Sequence, residues 1–132
     1  MINQPCVFIV DDDGAVRDGL GMVLETAGLA CQVFENAERF LENYVPGMPG
    51  CLVLDIIMPG MHGDELQAEL IRRNILLPII FLTSYSDIPT ADRCFNAGAV
   101  DYMTKPVQIQ QLIKRIQTVL HHEIWKNPNA MG

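Results

Sequence analysis

The chain has 132 residues, 49% hydrophobic and 19% charged, with a formal net charge of −7 and a pI near 4.7. This bounds it to one domain of ordinary size with enough apolar material for a core, and excludes a disordered chain. Lys and Arg total nine and gather no further than Arg72-Arg73 and Lys114-Arg115, so no direct nucleic-acid binding by this chain is expected.

In chain order, the apolar run Cys6–Val10 reads as a buried strand ending in Asp11-Asp12-Asp13. From Gly14 the spacing of Val16, Leu20, Val23 and Leu24 predicts a helix, with Gly28 as its stop. Ala30–Phe34 is a short strand, and Asn36 caps a helix over Ala37–Tyr44 with Phe40 and Leu41 inward. A turn-rich connector over 45–50 leads into Cys51–Asp55, a strand that ends in one carboxylate before the loop over Met58–Gly63. Asp64-Glu65 open the next helix, whose apolar positions are Leu66, Leu70 and Ile71, with Asn74 as its end. Ile79–Leu82 is a strand ending in Thr83-Ser84. Asp87 caps the following helix, with Pro89 in its first turn and Gly98 at its end. Ala99–Thr104 is the last strand, ending in Lys105-Pro106. The last helix covers about Gln108 to Glu123, burying Ile109, Leu112, Ile113, Ile116 and Leu120.

Five strands alternating with five helices, the strands strongly apolar, predict a parallel sheet covered on both faces, an α/β doubly wound fold. In such a sheet ligands bind outside the carboxyl ends of the strands, so Asp11, Asp12, Asp55, Thr83 and Lys105 converge on one edge. Like charges this close favour either protonation of one or a cation between them. An all-oxygen donor set with few carboxylates suits magnesium. Taken alone, Asp11–Asp13 reads equally as a polar turn and helix cap, Lys105 as a solvated lysine, Thr83 as a β-branched strand end and Tyr102 as a half-buried strand tyrosine. Cys6, Cys31, Cys51 and Cys94 form no Cys-x-x-Cys pair and read as core thiols rather than disulfides or a zinc site. His62 lies in the loop after Asp55, where a ligand role has no support from spacing, and His121-His122 suit the end of a helix. No apolar run approaches the ~20 residues of a membrane span, and Met1–Pro5 lacks a signal peptide's regions, so no membrane role is expected and the cytoplasm is the default location.

Asp11-Asp12 after the first strand, Asp55 after the third, Thr83 after the fourth and Lys105-Pro106 after the fifth resemble a response-regulator receiver domain over about residues 5 to 124. The resemblance implies a flavodoxin-like sheet of order 2-1-3-4-5 and a two-component signalling switch rather than a turnover enzyme. Asp55 is then the phosphoacceptor for a sensor histidine kinase. Mg²⁺ is held by Asp12, Asp55 and the backbone carbonyl of Ile57, with Asp11 acting through a water. Lys105 neutralises the phosphoryl oxygens, its bond to Pro106 being typically cis in the family. Thr83 and Tyr102 are the switch residues, and a homodimer on phosphorylation is expected.

Ser86–Ala91 and Ala97–Tyr102 look like receivers that precede a helix-turn-helix transcription domain. Residues 1–125 are taken as the receiver and 126–132 as a tail or linker stub. The chain then reads either as a receiver ending in linker, its output domain absent here, or as a stand-alone receiver. Trp125 reads either as a partner contact or as packing back on its own helix. Three departures stand out: Asp13 is a third acid that would compete for the metal, and Ile57 and Tyr85 occupy positions that modulate phosphoryl lifetime. An apolar Ile57 offers nothing to orient a hydrolytic water, so slow self-dephosphorylation is expected. A magnesium phosphatase with an aspartate nucleophile would need an acid where Ile57 stands. A nucleotide-binding domain would need a Gly-rich phosphate loop, which no strand here precedes. An interaction module without phosphorylation leaves the placement of Lys105 unexplained.

Overall fold

The computed structural model describes residues 4–126, with side chains through residue 122. Its elements are β1 (Cys6–Val10), α1 (Gly14–Thr26), β2 (Ala30–Phe34), α2 (Ala37–Asn43), β3 (Gly50–Leu54), α3 (Gly63–Arg72), β4 (Ile79–Thr83), α4 (Ile88–Asn96), β5 (Asp101–Thr104) and α5 (Ile109–Lys126). All strand pairings are parallel and the order is β2-β1-β3-β4-β5, the doubly wound arrangement expected. Because strand side chains alternate between faces, β1, β3 and β4 split their apolar residues between two cores. Phe8, Leu52, Leu54 and Phe81 meet Phe40, Leu66, Leu70 and Cys94 on the side of α2, α3 and α4. Val7, Ile9, Val53 and Ile80 meet Leu20, Leu24, Leu112 and Ile116 on the side of α1 and α5. The three central strands are buried along their whole length, which is why they read as unbroken apolar runs.

Differences from the sequence reading lie at boundaries. β5 starts at Asp101: the Ala99 N–H still closes α4, donating to the Cys94 carbonyl at 2.9 Å over Gly98, while the Val100 N–H already donates to the Ile79 carbonyl of β4 at 2.9 Å. Leu29 and Ile75 close α1 and α3 in the same way, over Gly28 and Asn74, both at positive φ. Ile71 is 53% exposed and Val23 36% exposed, although both stand at apolar helical positions. Cys6, Cys51 and Cys94 are buried and Cys31 half-buried, and none of the four is in a disulfide. The helical backbone of α5 reaches Lys126. The Trp125 side chain and the tail over Asn127–Gly132 lie outside the described residues.

Candidate functional site

β1, β3 and β5 deliver the residue that follows them, and β4 its last residue, to one edge. Val10 and Leu54 are register partners, so Asp11 and Asp55 leave neighbouring strands side by side. Thr83 is opposite Thr104, and the Lys105 N–H donates to the Thr83 carbonyl at 2.8 Å. One carboxylate oxygen each from Asp11, Asp12 and Asp55 lies within 4.8 Å of the others. Asp11 and Asp55 are buried at 3% and 7% exposure, whereas Asp12 faces solvent.

The two buried carboxylates are held alike. Oδ1 of Asp11 accepts the Asp13 N–H at 2.9 Å, and Oδ1 of Asp55 accepts the Ile56 N–H at 2.7 Å. Their Oδ2 atoms share the Lys105 ammonium, at 2.7 Å from Asp11 and 3.3 Å from Asp55. The Lys105-Pro106 peptide is cis. Burial pushes the Asp11 carboxyl above its usual range, and its pairing with Lys105 does not fully offset this. For Lys105 burial pulls downward, but the Asp11 hydrogen bond and the charges of Asp11 and Asp55 outweigh it, so its pKa is raised. A compact, all-oxygen, anionic donor set with one exposed member fits a hard divalent cation that keeps part of its water shell.

Thr83 is fully buried, and its Oγ1 accepts the Tyr85 N–H at 3.1 Å. The Tyr102 hydroxyl donates to the Tyr85 carbonyl at 2.6 Å, and its ring lies 5.8 Å from that of Phe81. Burial, with nearby negative groups, pushes the Tyr102 phenol up to about 12, so it is a donor throughout the neutral range. Thr83 and Tyr102 thus grip the two polar atoms of one residue's backbone, Tyr85. Ile57 is 49% exposed, and Tyr85 is also exposed.

Asp13 is not part of the acid cluster. Its Oδ1 accepts the Ala15 and Val16 N–H groups at 2.9 and 3.3 Å, capping α1. The turn-and-cap reading of the triplet therefore holds for Asp13, while Asp11 and Asp12 join Asp55. His62 stands at the N-cap of α3, its own N–H donating to Glu65 Oε1 at 2.9 Å, and is outside the cluster. Two residues near the site carried no sequence signal: Arg17, whose guanidinium donates to the Asp11 carbonyl at 2.8 Å, and Glu38, which accepts the Met61 N–H at 3.1 Å. The Glu38 contact spans 23 residues and the Arg17 contact folds α1 back onto the end of β1; neither follows from a spacing motif.

Residues 7–117 match the family described as the response regulator receiver domain. TmoT, a response regulator protein of Ectopseudomonas mendocina, is 39% identical over 96% of this chain and 58% of its own length. FixJ of Bradyrhizobium diazoefficiens, a transcriptional regulatory protein, is 35% identical over 91% of this chain and 58% of its own. The solved structure of the response regulator StyR superposes with a TM-score of 0.89 at 41% identity, over 96% of this chain and 64% of that one. This chain spans about half the length of the curated relatives it matches. Sheet order, converging strand ends and relatives agree, and the chain belongs to the receiver-domain family of two-component response regulators.

Proposed function

We propose that Asp55 accepts a phosphoryl group from the phosphohistidine of a sensor histidine kinase, in the cytoplasm, and that the acyl phosphate resets the surface around α4, β5 and α5. The observation that carries this reading is the Lys105 ammonium bridging two buried carboxylates, with the exposed Asp12 completing an oxygen cluster. Asp55 attacks phosphorus, a P–O bond forms, the P–N bond breaks, and the imidazole leaves. Asp12, Asp55 and the Ile57 carbonyl would hold Mg²⁺, with Asp11 acting through a water; the ion supplies charge neutralisation on the phosphoryl oxygens. Lys105 adds a second cation from the protein side. The Thr83 hydroxyl accepts from Tyr85, so its own proton is free to be donated to a phosphoryl oxygen. That movement releases the Tyr85 N–H and, through the Tyr85 carbonyl, bears on Tyr102.

The chain acts as an acceptor and switch rather than a turnover enzyme. Residues 1–125 form the receiver. Phosphorylation favours a homodimer, and control of transcription runs through an output domain, in keeping with FixJ's being named a transcriptional regulatory protein. The test is intact mass after incubation with a small acyl phosphate, with and without Mg²⁺, beside Asp55→Asn. One metal-dependent adduct, absent in the variant, is expected. An adduct that survives in Asp55→Asn would mean another acceptor, and none in the wild type would leave a binding module.

A further inference from the structure

The segment from Asp55 to Gly63 starts at the proposed acceptor and carries the Ile57 carbonyl, and it is pinned at several points. The Met58 side chain is buried in the core. The Gly63 N–H donates to the Ile56 carbonyl at 2.8 Å, and a Cβ on Gly63 would lie 2.0 Å from the Asp55 carbonyl oxygen. Between these points Pro59 and Gly60 are exposed, and the hold on the turn comes from another helix. Glu38, 23 residues away in sequence, accepts the Met61 N–H on Oε2 at 3.1 Å. Gly60 has φ +76°, and a Cβ there would lie 2.6 Å from the same Oε2, so the turn and the carboxylate are fitted to each other.

Glu38 lies in the first turn of α2, capped by Asn36, where a negative charge is favoured. Its neighbour Arg39 is directed to Glu35 and Glu42 instead, leaving the Glu38 carboxylate to the loop. We infer that Glu38 is a positioning residue for the site: by strapping the turn at Met61 it keeps the Ile57 carbonyl placed for a divalent cation, touching neither the cation nor the phosphoryl group. The inference rests on the proposed reading of Asp55 and Ile57.

The test titrates Mg²⁺ into metal-free protein by calorimetry and follows the acyl-phosphate adduct by intact mass at low and saturating Mg²⁺. Wild type is compared with Glu38→Ala, Glu38→Gln and Glu35→Gln, all checked by thermal melts. A single solvent-accessible hydrogen bond supports a change of about three- to tenfold. Glu38→Ala should raise the Mg²⁺ Kd by that factor, slow adduct formation at low Mg²⁺ and recover at saturation. Glu38→Gln, which keeps an acceptor oxygen, should stay near wild type, and Glu35→Gln, which removes a neighbouring charge without touching the loop, should not change. An unchanged Kd in Glu38→Ala, with or without a lower melting temperature, overturns the inference. So does equal weakening by Glu35→Gln, which would mean charge acting at a distance. Failure of the wild type to form an adduct would strike the acceptor role of Asp55 instead, and the Mg²⁺ titration would still decide for or against Glu38.

Discussion

The Lys105 ammonium faces two carboxylates at once, keeps 21% of its side-chain surface exposed, and holds Asp11 at 2.7 Å and Asp55 at 3.3 Å. Both ends of the closer pair lose stability as pH rises, but in different windows, one acidic and one alkaline. Asp11, its pKa raised by burial above 3.8, favours the fold while protonated and loses that contribution as pH rises through its folded value. Its ionised form is tolerated because a cation stands beside it. Lys105, its pKa raised above 10.5 because its two anionic partners outweigh its burial, contributes stability that is full below 10.5 and lost as pH climbs through the folded value. Replacing one member of such a pair leaves a buried charge uncompensated, at about 3–5 kcal/mol when burial is complete. Solvent still reaches Lys105, so Lys105→Met should cost about 1–3 kcal/mol in metal-free protein at neutral pH. Denaturant melts from neutrality to beyond pH 10.5 should show the gap between wild type and variant narrowing only at the alkaline end. A gap that already closes near neutrality would mean that Lys105 does not carry this charge balance.

At the scale of elements, the triplet Asp11-Asp12-Asp13 divides where β1 hands over to α1. Asp11 and Asp12 belong to the strand edge and Asp13 to the helix, whose free Ala15 and Val16 N–H groups it satisfies. Asp13→Ala should therefore lower stability by about 1 kcal/mol, a drop of several degrees in Tm, with Asp13→Ser recovering most of it. Formation of the Asp55 adduct should be unchanged; a loss of phosphoryl acceptance in Asp13→Ala would return Asp13 to the metal cluster. The division was not legible beforehand because capping and metal binding ask for the same residue at the same place. Helix ends were legible, since Gly28, Asn74 and Gly98 are residue types that accept positive φ. The start of β5 was not: Ala99 is apolar where it closes α4 and Val100 where it already pairs with β4, and spacing cannot separate the two.

For the molecule as a whole, β/α alternation with fully apolar central strands was enough to argue a covered parallel sheet, and hence an edge where five strand ends meet. What stayed hidden depends on how side chains pack in three dimensions: Glu38 on the Met61 turn from 23 residues away, Arg17 folded back from α1 onto the Asp11 carbonyl, and the exposure of Ile71 and Val23. The proposed dimer depends on packing of this kind as well. Ile88 is 78% exposed and Phe95 45%, two helical turns apart on α4, and Tyr85 just before them is 40% exposed. Tyr85 is also the residue whose backbone Thr83 and Tyr102 hold, so under the proposed function a phosphoryl group that recruits Thr83 would loosen the approach to this apolar ridge. Sedimentation velocity should give a shift toward dimer for wild type with acyl phosphate and Mg²⁺, and none for Asp55→Asn. Phe95→Asp puts a charge on the ridge far from the chemistry, so it should keep the adduct in intact mass while losing the shift. An adduct without any change in sedimentation would leave Asp55 as the acceptor and move the signal's output from a second copy to a different partner.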